Sequence, residues 1–173
     1  MADTQIDILK TATDWAKAEM MSSGFFVMCG IVFILISLGF WQMGKTDTAK
    51  AYIIPLMVAG GVLIIIGAGL VISNMLRLSD FPGAYSADSA AFLQMELARA
   101  DKTISGYHKA IYIALPAISF ISAGLLFVVR APVWQASMVA IIAMMAVILM
   151  IDTNATARMQ AYKATLAEAS SQS

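Results

Sequence analysis

Apolar residues in this chain gather into four runs, 24–41, 52–74, 108–129 and 133–151, each 18 to 23 residues long and, apart from Lys109 at the very start of the third, free of Asp, Glu, Lys and Arg between its ends. At 1.5 Å per residue such runs match a hydrocarbon layer of about 30 Å, and each predicts a transmembrane helix. Between and beyond them the pattern changes from continuous to periodic. Residues 4–21 place Ile8, Ala12, Trp15 and Glu19 on one stripe, with Thr4 and Asp7 as a capping pair. From Asp88 onward Leu93, Leu97, Ala100 and Ile104 recur at helical spacing, and so do Ala155, Met159, Tyr162 and Leu166 after the fourth run. These stripes predict amphipathic helices that pack on one another. They carry few of the basic residues that a helix lying flat on a membrane uses. Asp80-Phe81-Pro82-Gly83, inside 76–85, reads as a turn, and Ser170 to Ser173 as a fraying end.

The first and third runs are entered through the same motif. Aligning 14–25 with 96–107, 82 positions on, gives four identities (Ala16/Ala98, Ala18/Ala100, Ser23/Ser105, Gly24/Gly106). Four further pairs keep their chemical type: Asp14/Glu96, Lys17/Arg99, Glu19/Asp101 and Phe25/Tyr107. An internal repeat bears on architecture before other signals do. The expected fold is therefore an all-α membrane protein of one domain. Two parallel-repeat hairpins, 4–77 and 88–158, each begin with an amphipathic cytoplasmic helix, and a helical tail covers 152–169.

Charge orients the hairpins. Lys10, Lys17, Arg77, Arg99, Lys102, Lys109, Arg158 and Lys163 fall on one side, against Lys45, Lys50 and Arg130 on the other. The excess of basic residues marks the cytoplasmic side, so both termini are expected there, in a plasma membrane such as the bacterial inner membrane. The outer connections, 43–51 and 130–132, are too short for an external domain. Trp41, Tyr52 and Trp134 would form an outer aromatic belt and Phe25, Phe26 and Tyr107 an inner one. The acidic start, with no small-residue cleavage pattern after the first run, predicts no signal peptide.

Composition agrees with the pattern: 60% hydrophobic and 13% charged residues place the chain outside the soluble range. The 11 basic and 11 acidic side chains cancel, which gives no footprint for nucleic acid. Small residues predict close-packing faces, Gly60, Gly61, Gly67 and Gly69 in the second span and Ala136, Ala140 and Ala143 in the fourth. Pro55 suits a first helical turn, and Pro116 should kink the third span.

Candidate chemistry is sparse. One histidine, His108, excludes the paired Glu-x-x-His sites of di-iron bundles and bis-histidine haem, and Cys29 reads as an inert buried thiol. No catalytic residue, metal ligand set or cofactor is expected. The repeat does suggest one polar cluster at the inner membrane face, comprising Glu19, Asn74, Asp101, Asp152 and Asn154, whose oxygens suit a hard cation or a lipid head group. The absence of mid-span charge disfavours ion-coupled transport. The partners expected are the bilayer itself and either further copies of the chain or a membrane complex. Three functions fit: a membrane scaffold or accessory subunit; a homo-oligomeric channel or passive transporter lined by Ser37, Ser119 or Ser122; and a lipid enzyme using Glu19, Asp101 or Asp152.

Overall fold

The computed structural model describes residues 7–172, and among these every regular element is a helix. Helix α1 (Ile8–Met43) leads to the short α2 (Asp47–Ala51), α3 (Ile53–Ala87), α4 (Ser89–Lys109), a π-helical turn (Ala110–Ala114), α5 (Leu115–Val128) and α6 (Pro132–Gln172). Four helical stretches are long and apolar enough to cross a membrane: α1, α2 with α3, α4 with α5, and α6. The 36 residues of α1 span about 54 Å, well beyond one hydrocarbon thickness. Helices α1, α3 and α6 therefore each join an apolar run to a polar extension without a break, and α4 joins α5 through the π-helical turn.

Side-chain caps mark the starts. Asp7 accepts the Lys10 N–H at 3.0 Å, Thr46 that of Ala49 at 3.1 Å and Asp88 that of Ala91 at 2.9 Å. Asp7 is thus the cap of α1 itself; the Thr4 half of the expected capping pair lies outside the described residues.

The expected turn at 80–83 is not formed. Helix α3 runs through Pro82 to Ala87, and the chain reverses at Asp88 alone. A proline inside a helix removes one hydrogen bond. Burial offsets that loss: Phe81 meets Phe92 edge to face at 5.5 Å, Tyr85 meets the same ring at 5.7 Å, and Leu78 and Ala84 join the cluster. The C-terminal end also differs from expectation. Helix α6 stays helical through Ser170 and Ser171 to Gln172, because Leu166 and Ala169 are buried and hold its last turns.

Near Pro116 the irregularity takes the form of a wide turn just before the proline, where the Leu115 N–H donates to the Ala110 carbonyl five residues back. Immediately after it α5 resumes, with the proline in its first turn.

Two apolar cores result. One joins α1, α3, α4 and α6 through Trp15, Phe81, Phe92, Met159, Tyr162 and Leu166, so the first turns of α1, the last turns of α6 and the α3–α4 junction lie at one end of the molecule. The other joins the apolar runs of α1, α3 and α6 through Phe26, Phe33, Leu63 and Ile151. Phe26 belongs to this core, not to an interfacial belt, and Tyr52 stacks on Phe40 at 5.6 Å. Trp41 and Trp134 are exposed.

The glycine faces divide. A Cβ on Gly60 would lie 2.6 Å from the Gly30 carbonyl oxygen, and one on Gly67 would lie 2.8 Å from the Phe26 Cβ, so these glycines set the close approach of α3 to α1. Gly61 and Gly69 face open space, with nothing within 4 Å of an added Cβ. On α6, Ala136 and Ala140 are buried and Ala143 packs at the edge of the second core. Ser37 ties the hairpin, donating to the Ile53 carbonyl at 2.6 Å.

Candidate polar site at one end of the spans

Among the described residues two carboxylates are buried at the end of the molecule where α1 begins and α6 finishes, and each receives one guanidinium and one phenol. Glu19, on the buried stripe of α1, accepts from Arg158 of α6 at 3.0 Å and from the Tyr107 hydroxyl of α4 at 3.2 Å. Glu96 of α4, 1% exposed, is held by a bidentate pair with Arg99 and accepts from the Tyr162 hydroxyl of α6 at 2.6 Å. The Arg99 guanidinium also lies 4.3 Å over the Trp15 ring, which stacks on Tyr162 at 5.0 Å. Burial, then the hydrogen bond to the Glu96 carboxylate, pushes the Tyr162 hydroxyl pKa upward, so the phenol stays a donor. These contacts bind α1, α4 and α6 together where an unpaired carboxylate would be costly.

Of the five cluster residues expected from the sequence, Glu19 and Asp152 come together and Asn74, Asp101 and Asn154 do not join them. Glu19 is in the network, and Asp152 faces it closely enough for the two carboxyls to repel. Asn74 is buried but locally engaged, donating to the Leu70 carbonyl at 3.0 Å and accepting from Arg77 at 3.0 Å. Asp101 is exposed and pairs with Lys163. Asn154 is exposed and returns its amide to the Met150 carbonyl at 2.9 Å. Among the described residues no group of three His, Cys, Asp or Glu side chains is placed to hold a metal ion.

The reason is rotational. In the pairs Asp14/Glu96, Ala16/Ala98, Ala18/Ala100 and Glu19/Asp101 one member is buried and the other exposed. Helix α4 turns inward a face displaced by one residue, about 100° of helix rotation, so Glu96 occupies the inner face and Asp101 leaves it. No spacing in the sequence joins Glu96, Arg99, Tyr107, Arg158 and Tyr162 into one network. Glu96 was nevertheless legible: it falls between Leu93 and Ala100 at spacings of 3 and 4 on the apolar stripe.

Beside Glu19 lies a cavity of about 290 Å³. Its polar wall is Glu19, Ser22, Ser23, Tyr107 and Asp152, and its apolar wall includes Phe26, Ile66, Leu70, Ile148 and Ile151. Ser23 turns its hydroxyl to the Glu19 carbonyl at 2.8 Å. Asp152 directly follows the fourth apolar run, and burial, then the neighbouring Glu19 charge, raises its pKa to about 6. His108 lies away from this network, edge-on to Tyr112 at 5.6 Å. Ser119 returns its hydroxyl to the Leu115 carbonyl of its own helix at 2.9 Å, and Ser122 is buried.

No family model matches the chain, and neither a curated protein nor a solved structure matches it.

Proposed function

We propose that this chain is an integral membrane scaffold or accessory subunit that associates with further copies of itself through helix packing. The observation that carries this reading is the second glycine face of α3. Gly60 and Gly67 are spent on α1, whereas Gly61 and Gly69, with exposed Ile65 between them, face outward. Small residues on a lipid-facing helix admit the backbone of another helix to van der Waals distance. Helix α5 adds to the argument. It packs mainly on α6, buries only Leu115 and Ser122, and leaves Phe120, Ile121 and Phe127 outward.

In this reading the polar end is a rigid tie that fixes the angles at which the four spans leave it. The excess of basic side chains at that end supports a cytoplasmic location for both termini, as in a bacterial inner membrane. The sequence repeat supports descent of the two hairpins from one unit, with α4 since rotated. The test is the mass of the particle after extraction with its surrounding lipid. A defined oligomer that Gly61→Leu with Gly69→Leu reduces to monomers is the expected result; monomers alone from the unaltered chain would refute the reading.

A further inference from the structure

The cavity beside Glu19 has a chemistry that the scaffold reading does not use. Its lining combines two carboxyl groups, three hydroxyls and a larger apolar wall, and it sits where the fourth apolar run ends. Glu19 has its cation in Arg158. Asp152 has none: no described residue donates a hydrogen bond to its carboxyl group, and no arginine lines the cavity. The groups that face it are Glu19 from α1 and Tyr107 from α4, while α3 contributes only Ile66 and Leu70. An anionic head group would meet two carboxyls here. A cation would complete the pairing that Asp152 lacks.

We propose that this cavity binds a primary ammonium carried on an alkyl chain, the ammonium between Asp152, Glu19 and Ser22, and the chain along Phe26, Ile66 and Leu70. The three N–H donors of an ammonium match three oxygen-bearing side chains. The volume, at the lower end of the roughly 300 to 1,000 Å³ typical of ligand pockets, suits a small head and the first part of a chain. Two sources share this chemistry, a free long-chain amine and the ethanolamine head of a membrane lipid.

Radiolabelled dodecylammonium tests the proposal, with the intact protein in phosphatidylcholine nanodiscs and empty discs as the partition control. Saturable binding of about one equivalent is expected, at least tenfold weaker in Asp152→Asn. Ser22→Leu, which fills the cavity and keeps both carboxyls, should weaken it similarly. Dodecanol should not compete. Replacing part of the phosphatidylcholine with phosphatidylethanolamine reduces binding if the lipid is the source and leaves it unchanged if a free amine is; either supports the site. No saturable binding, equal binding by both variants and the unaltered chain, or equal competition by dodecanol overturns it.

Discussion

Arg158, near the end of the chain, reaches back 139 positions to the Glu19 carboxylate and donates to it at 3.0 Å. Glu19 is only 6% exposed, so it depends on that contact and on the Tyr107 hydroxyl. Removing one partner of a buried pair typically costs about 3–5 kcal/mol, because the remaining charge stays buried alone. Arg158→Met should cost about 3 kcal/mol, reduced for the partial exposure of the arginine. Arg158→Met combined with Glu19→Gln should recover part of this loss. Denaturant unfolding in detergent micelles measures both, and a double variant no more stable than the single one would mean that the pair does not bind α1 to α6.

The two glycine faces of α3 predict opposite outcomes for the same substitution. Gly67→Ala drives a Cβ to within 2.8 Å of the Phe26 Cβ and 2.9 Å of the Val27 backbone nitrogen, and should destabilise by about 1–3 kcal/mol, as overpacking does. Gly69→Ala meets nothing within 4 Å in the single chain and, in protein dispersed to monomers in detergent, should stabilise by about 0.5–1 kcal/mol through helix propensity. Melting temperatures of the two variants decide the matter. Equal shifts would show that α1 and α3 do not approach this closely.

Asp152 makes stability depend on pH. Its pKa, raised from 3.8 to about 6, means that the folded protein holds this proton more tightly than the unfolded chain. The stability gained is complete below about pH 3.8 and is lost as pH rises through about 6. Asp152→Asn, which resembles the protonated form, should melt near the unaltered protein at pH 4 and above it at pH 8. A melting difference that is the same at both pH values would exclude this origin.

Pro82 interrupts the hydrogen-bond ladder of α3 between Phe81 and Gly83 without ending the helix. Pro82→Ala restores the missing donor and should stabilise by about 1–3 kcal/mol, the order of a proline's cost inside a helix. Destabilisation on circular dichroism melting would imply that the proline shapes the packing of Phe81 on Phe92.

Pro82 also shows where sequence stopped being a guide. The spans were legible because a run of 18 or more uncharged apolar residues has few other stable placements. The polar extensions were legible from their periodicity, and Glu19 was already on the buried stripe of α1. Asp80-Phe81-Pro82-Gly83 misled because local turn chemistry competes with the burial of Phe81, and only the position of Phe92 settles that contest. Glu19 and Asp101 align in sequence but differ in burial, since an alignment carries residue types and not the rotation of a helix about its axis. The pairing of Tyr162 with Glu96 spans 66 positions and follows from the packing of α4 on α6.

The central claim, association through the outward glycine face of α3, is tested most directly by counting subunits in lipid. The chain would carry a fluorescent label at an exposed cysteine introduced at Ser171, with Cys29 replaced by Ala, in native-lipid nanodiscs made without detergent. Stepwise photobleaching should give a distribution centred on one defined number above one, falling to single steps when Gly61 and Gly69 are both replaced by Leu. Single steps from the unaltered chain, or a step distribution that the two leucines leave unchanged, would contradict the account.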